Sequence, residues 1–260
     1  MNPYQSFARV YDSFMADTPV DEWVAFIEGL WARDNLKPEL VLDAGCGTGA
    51  VTLPLARKGY GMIGIDISDD MLSAARRKSE SAGLDILFSR QDMRAFELYG
   101  TVDSIICICD VVNYIADEND LRRFFRLSHN YLNSGGLLIF DISTEYKYKE
   151  VLGENTFCDI NENAAYIWEN NYNAGTRINE YLVTFFTEDG SGKYSRFEEL
   201  HCLRAYSIAE ITSALEAAGF SEINAYDANG FGAPAYNSER VFFRVRKPND
   251  RSPDTQIICR

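Results

Sequence analysis

The sequence is short of the residues on which metal and redox chemistry depend. It has two histidines, His129 and His201, and its six cysteines (Cys46, Cys107, Cys109, Cys158, Cys202 and Cys259) are scattered without a CxxC pair. These spacings do not make a zinc site, so no metal is expected. Basic residues are also few: 25 Lys and Arg stand against 39 Asp and Glu, a net charge of -14. Such a surface repels a phosphate backbone, and nucleic acid is not expected as a partner. Long apolar runs are missing as well. No segment approaches the ~20 apolar residues of a membrane helix, and the opening MNPYQSFARVYDSFM lacks a basic region followed by an apolar one. A cytoplasmic protein acting on a small molecule is the expectation from these absences, and they leave the oligomeric state undetermined.

What is present is a regular alternation. Val20, Trp23, Val24, Ile27, Leu30 and Trp31 recur at helical spacing behind Thr18 as cap, Pro19 in the first turn and Asp21 as capping-box acid. Short apolar runs follow at Leu40 to Ala44, Met62 to Asp66, Ile86 to Phe88, Ser104 to Cys109 and Leu137 to Phe140. Between them lie helix patterns near Gly49 to Lys58, Asp69 to Ala82 and Asn119 to Leu132. Strands alternating with helices predict an α/β fold, a doubly wound and mostly parallel sheet of seven strands. From about Asn155 to Arg204 the pattern changes to alternating aromatic and polar residues, with turn signals at Asn173 to Gly175 and Glu188 to Gly192. That predicts an inserted antiparallel meander, residues 151–204, acting as a lid between the two parts of the main domain, 1–150 and 205–247. Ser207 and Glu210 cap a further helix ending at Gly219, Ile223 to Tyr226 and Arg240 to Val245 supply the last strands, and 248–260 reads as a flexible tail.

The stretch VLDAGCGTG, residues 41–49, runs from a buried strand into a glycine-rich turn. Backbone without side chains lets a ligand approach closely. Asp66 ends the next strand 23 residues after Asp43, a place from which an acid accepts from both hydroxyls of a ribose. The two features indicate an adenosine-type cofactor. Gly45, Gly47 and Ala50 formally satisfy the dinucleotide fingerprint. Asp43, two residues ahead of the first glycine, nevertheless suits a cationic amino group and sulfonium better than a diphosphate.

VLDAGCGTG followed by GIDIS resembles motif I and its acidic partner in class I S-adenosylmethionine-dependent methyltransferases. Gln91-Asp92-Met93, Asp110, and Gly135-Gly136 leading into LLIFDIS match further family positions, and Tyr4, Phe7, Ala8, Tyr11 and Asp12 match the YxxFAxxYD signature of the small bacterial YqeM type. The resemblance implies a Rossmann-like methyltransferase fold with S-adenosylmethionine as cofactor. It implies that Gly45, Cys46 and Gly47 line the methionine moiety, with Asp43 near its amino group, and that Asp66 holds the ribose. Ile67 and Met71 would pack on the adenine, Asp92 and Met93 would meet its edge, Cys109 and Asp110 would close the site, and Tyr11 would cover it. Methyl transfer needs mainly alignment and exclusion of water, so no catalytic residue is assigned.

Substrate positions follow from the rule that ligands sit beyond the carboxyl ends of the strands. Asn113 and Tyr114 qualify after the fourth strand, with Trp168, Arg204 and Tyr206 from the insert, while His201 reads as a lid residue whose alternative role is a base. Cys107 and Cys109, two apart on a strand, are expected on one face as small core residues. Where DNA amino-methylating enzymes carry Asn/Asp-Pro-Pro-aromatic, this chain has Cys-Asp-Val-Val-Asn, which argues against exocyclic base amino groups. A nicotinamide-dependent oxidoreductase and a non-catalytic regulatory module that binds S-adenosylmethionine remain as alternatives to the methyltransferase.

Overall fold

Apolar residues at every third or fourth position from Val20 onward form α1 (Val20–Arg33), which buries Trp23, Val24, Ile27, Leu30 and Trp31. The computed structural model describes residues 11, 12, 14, 15, 18–160, 164–188, 191–228 and 230–249. Tyr4, Phe7, Ala8, Cys259 and the tail past 249 lie outside them. Pro19 occupies the cap of α1 rather than its first turn, and no side chain caps that end.

The chain continues through β1 (Leu40–Ala44), α2 (Thr52–Arg57), β2 (Gly61–Asp66), α3 (Asp69–Ser81), β3 (Leu87–Arg90), β4 (Val102–Cys107), α4 (Glu118–Tyr131) and β5 (Leu132–Ser143). Four strands follow: β6 (Thr156–Ile160), β7 (Ala164–Asn173), β8 (Ile178–Glu188) and β9 (Tyr194–Arg204). Then come α5 (Ile208–Ala217), β10 (Ser221–Asp227) and β11 (Arg240–Arg246). One sheet has seven strands in the order β10-β11-β5-β4-β1-β2-β3. Only β11 runs antiparallel to its neighbours. The fold is the mostly parallel, doubly wound sheet read from the sequence. The other sheet, β6-β7-β8-β9, is an antiparallel meander lying in the chain between β5 and α5.

Alternation along each central strand divides the core in two. Val41, Ile106, Ile139 and Phe242 pack against Trp23, Ile27, Trp31 and Leu55 of α1 and α2. Leu42, Ile105, Leu138, Phe140 and Phe243 pack against Phe124 and Phe125 of α4 and Ile211 and Leu215 of α5. The buried Trp31 keeps its N–H satisfied, donating to Ser104 Oγ at 3.0 Å, which donates on to the Leu137 carbonyl at 3.0 Å. The cap expected on the helix after the meander is present: the Ser207 side chain accepts from Glu210 N while Glu210 accepts from Ser207 N.

Two elements differ from the sequence reading. β5 runs on past Phe140 to Ser143, because β11 pairs along it from Arg246↔Leu137 to Arg240↔Ser143. Polar Asp141 and Ser143 are thereby drawn inside, both fully buried. β4 ends at Cys107 rather than Cys109, and Cys109 and Asp110 turn into positive φ, 75° and 50°. The two cysteines therefore do not share a strand face: Cys107 lies in one core layer, and partly buried Cys109 packs against the other.

Phe140 is fully buried and stacks on Phe243, with ring centroids 4.9 Å apart at 5°. Phe140→Ala is expected to lower unfolding free energy by about 3–5 kcal/mol, read as a drop in urea midpoint at unchanged slope. A loss below about 1 kcal/mol would show that the helices close over the vacated space.

Candidate active site

The strand order reverses between β1 and β4, and the loops leaving those two strands meet there. The first is the glycine turn, with φ of 81° at Gly45, 52° at Gly47 and 82° at Gly49. A Cβ on Gly45 would come 2.5 Å from Val111 in the β4 loop, so only glycine lets the two loops abut. At Gly47 a Cβ would meet nothing within 4 Å and would point into open space. Four amides of the turn are already committed: Gly45 and Cys46 donate to the Ile65 carbonyl at 2.8 and 3.0 Å, Gly47 to Asp66 Oδ2 at 2.9 Å, and Gly49 to the Cys46 carbonyl at 2.9 Å. A diphosphate needs such donors free. The dinucleotide alternative is therefore not favoured.

Two carboxylates flank the turn. Asp43 is buried, and its Oδ2 accepts from Thr52 Oγ1 at 2.5 Å. Burial pushes its pKa up to about 7, the charge of Asp66 adds to the rise, and the Thr52 bond opposes it. Asp66 is raised in the same direction by burial, against the amides of Ser68, Gly47 and Ile67 that favour its charge. Ile67 is 60% exposed beside it. Cys46 turns its thiol into a small core with Leu53, Leu72, Ala75 and Phe88.

The remaining cofactor candidates fall less uniformly. Asp92 is held by the guanidinium of Arg94, with Nη2 at 2.6 Å and Nε at 3.0 Å, and this pairing keeps its carboxyl below the usual range. Met93 packs on the main core, whereas Met71 packs on the core of the meander together with Tyr11 and Phe14. Tyr11 lies against Cys109, and burial there pushes its hydroxyl pKa up. Its neighbour Asp12 fixes the segment: Thr48 Oγ1 donates to it at 2.6 Å and Lys78 Nζ pairs with it at 2.6 Å. Thr48 and Lys78 were missed in the sequence because nothing local ties them to residue 12.

Beyond Cys109 and Asp110 opens a cleft of about 980 Å³. Tyr11, Phe14, Pro19, Glu22 and Trp23 line it together with Asp227, Asn237, Ser238, Glu239 and Arg240. The meander supplies the roof through Tyr166, Trp168, Tyr181, Val183, Phe185 and His201, and Tyr114 and Lys147 stand on the floor. Among the substrate candidates, Tyr114 and Trp168 line this cleft.

Asn113, Arg204 and Tyr206, the other three acceptor-side candidates, are not among the residues that line it. The Asn113 amide is fully buried, donating to the carbonyls of Ser143 (3.0 Å) and Arg204 (2.8 Å) and accepting from Ser143 N (2.9 Å). Arg204 donates to the Ala116 carbonyl at 2.9 Å and pairs with Glu118 at 2.8 Å, its guanidinium 4.8 Å from the Tyr206 ring. The Tyr206 hydroxyl donates to the Ile115 carbonyl. All three join the meander's exit to the β4 loop.

Residues 41–136 match the methyltransferase domain family. A methyltransferase of Geobacillus sp. (strain WCH70) is 34% identical over 247 residues, covering 94% of this chain and 99% of the relative. The methyltransferase YqeM of Bacillus subtilis (strain 168) is 35% identical over 246 residues, covering 94% and 97%. A solved S-adenosylmethionine-dependent methyltransferase from Clostridium acetobutylicum ATCC 824 superposes with a TM-score of 0.86 at 33% identity, over 95% of this chain and 100% of that one. The chain belongs to the S-adenosylmethionine-dependent methyltransferases.

S-adenosylmethionine is the cofactor of this methyltransferase family, and the turn suits it: two carboxylates for a cation and a diol, committed amides, and open space over Gly47. Among the described residues no group of His, Cys, Asp and Glu is arranged to hold a metal ion, and no helix is long and apolar enough to cross a membrane.

Asp43 gives this methyltransferase a pH-dependent weakness in the free state. Its folded pKa of about 7 stands above the 3.8 ordinary for an aspartate, so between those values the folded protein keeps a proton that the unfolded chain has lost. Stability then falls as pH rises through that window. Urea midpoints from pH 4 to 8 are expected to decline in the ligand-free protein. Asp43→Asn should flatten the decline; an equal slope in the variant would assign it elsewhere.

Proposed function

We propose that this chain transfers the methyl group of S-adenosylmethionine to a small organic acceptor seated in the aromatic cleft. The observation that carries the reading is the Cys109–Asp110 boundary, which has the glycine turn and its two carboxylates on one side and the cleft on the other. When bound, the cofactor supplies an electrophilic methyl group on a cationic sulfur. The residues contribute binding, alignment and exclusion of water, and alignment alone is worth roughly 7–11 kcal/mol of barrier.

In this proposal Asp43 faces the donor's cationic end and the backbone of Gly45, Cys46 and Gly47 lies along its methionine part. Asp66 accepts from the ribose, Ile67 and Met71 flank the adenine, and Asp92 and Met93 meet its edge. Tyr11 covers the donor, with Cys109 and Asp110 closing the site. The meander is the lid, and the division into 1–150 with 205–247 and an inserted 151–204 follows from it. The cleft's aromatic walls, with Glu22, Asp227 and Glu239 against Lys147 and Arg240, suit a neutral or cationic acceptor with an apolar body.

Calorimetric titration with S-adenosylmethionine, S-adenosylhomocysteine and NAD tests the donor. Binding of the two adenosyl ligands alone is expected; binding of NAD alone overturns the reading. Asp66→Ala deletes a charge-assisted contact worth about 1.5–3 kcal/mol, so S-adenosylhomocysteine should bind roughly 10- to 150-fold more weakly. Because Asp66 also holds the Gly47 and Ser68 amides, circular dichroism must show the variant folded. Unchanged affinity would remove Asp66 from the ribose site. A screen of hydroxyl and amine compounds for S-adenosylhomocysteine release then identifies the acceptor.

A further inference from the structure

A chain of polar groups crosses the cleft from floor to roof. Tyr114 ends the short 3-10 turn Val111–Tyr114 that follows β4, and its hydroxyl lies 2.9 Å from His201 Nδ1 and 3.1 Å from the Tyr181 hydroxyl. Glu199 Oε2 lies 3.4 Å from His201 Nε2. Pairing of β8 with β9 sets Tyr181 opposite His201 and Val183 opposite Glu199, so all four side chains share the sheet face that roofs the cleft. His201 stacks on Tyr181 with centroids 4.8 Å apart at 25° and meets Tyr114 edge-on at 5.8 Å. Tyr114, Tyr181 and His201 line the cleft, while Glu199 stands behind His201.

We propose that Tyr114 and His201, with Glu199 as a positioning residue acting through His201, form a proton relay that takes up the proton of the methyl acceptor. The proposal rests on the methyl-transfer reading above and deepens it: the acceptor attacks through an oxygen or nitrogen that has a free electron pair and still carries a proton, a hydroxyl or a neutral amine. A carboxylate beside Nε2 fixes the neutral imidazole with its proton there, leaving Nδ1 to accept from the Tyr114 hydroxyl. The Tyr114 oxygen can then receive a proton as it gives one up. Burial pushes the pKa of that hydroxyl up, so it acts by passing a proton in concert and not as a resting phenolate.

The step balances. The acceptor's electron pair forms the bond to the methyl carbon, the pair of the broken S–C bond stays on sulfur, and the acceptor's proton moves to Tyr114 Oη. The Tyr114 proton moves to His201 Nδ1, and the imidazolium so formed lies beside Glu199. The titratable groups around the relay are Tyr181 and Glu199 from the roof, Cys109, Asp110 and Tyr148 from the floor, and Tyr11 from the N-terminal segment.

With two histidines in the chain, the imidazole resonances of His201 can be followed by NMR in the full-length protein, ligand-free. One neutral tautomer, protonated on Nε2, is expected. Tyr114→Phe should admit the other tautomer, and Glu199→Gln should weaken the preference for the proton on Nε2. An unchanged tautomer in both variants overturns the relay, whether or not the protein binds S-adenosylhomocysteine, so this result stands apart from failure of the methyltransferase reading. With a hydroxyl or amine acceptor from the release screen, His201→Gln is expected to lower kcat about 10²- to 10⁴-fold and to abolish the rise of kcat with pH. A purely structural latch would raise the acceptor KM and leave kcat and its pH limb intact; that outcome overturns the catalytic role.

Discussion

Everything around the cleft hangs from one buried carboxylate. Asp141 is fully buried near the end of β5, where an unpaired charge would be severely penalised. It accepts from the amides of Cys109 at 2.7 Å and Asp110 at 3.0 Å and pairs with Arg240 of β11. Those two residues stand consecutively at positive φ, a conformation that costs of order 1–3 kcal/mol per non-glycine residue. Asp141 offsets the strain, and the strained turn supplies donors that its carboxylate needs. Arg240 also reaches Asp110 at 3.3 Å, and Ser143 Oγ donates to Asp110 at 3.0 Å. Despite its burial, the carboxyl of Asp110 is held below the usual range by the charges of Arg240 and Lys147. Three strand ends, β4, β5 and β11, are thus locked together beside the cleft.

The antiparallel β11 is what makes this lock available. Its pairing continues β5 as far as Ser143, and its first residue is the arginine. A parallel sheet ending at Phe140 would leave Asp141 in a loop, free to reach water.

How much of this was legible in the sequence depended on range. The glycine turn, Asp43, Asp66 and the Ser207 cap are written in a few adjacent residues, and periodicity carried the helices, the strands and the meander. Asn113, Arg204 and Tyr206 were assigned to the acceptor because they fall near strand ends in an aromatic, polar context. In the fold their partners lie about ninety positions away, and they stitch one sheet to the other. Cys109 was read as strand because its neighbours are apolar; Asp141, thirty-two residues on, bends it away. Alternation in the insert marked it as a meander but did not show that His201 meets a tyrosine from the β4 loop.

Asn113 carries a consequence for the history of such proteins. One amide nitrogen donates to both Ser143, where the chain leaves the large sheet, and Arg204, where it returns. The stems of the meander therefore sit side by side, and a loop of almost any length or shape can be spliced between them without disturbing the seven strands beneath. A protein built this way can have its insertion lengthened, shortened or reshaped while both of its ends stay pinned to one side chain.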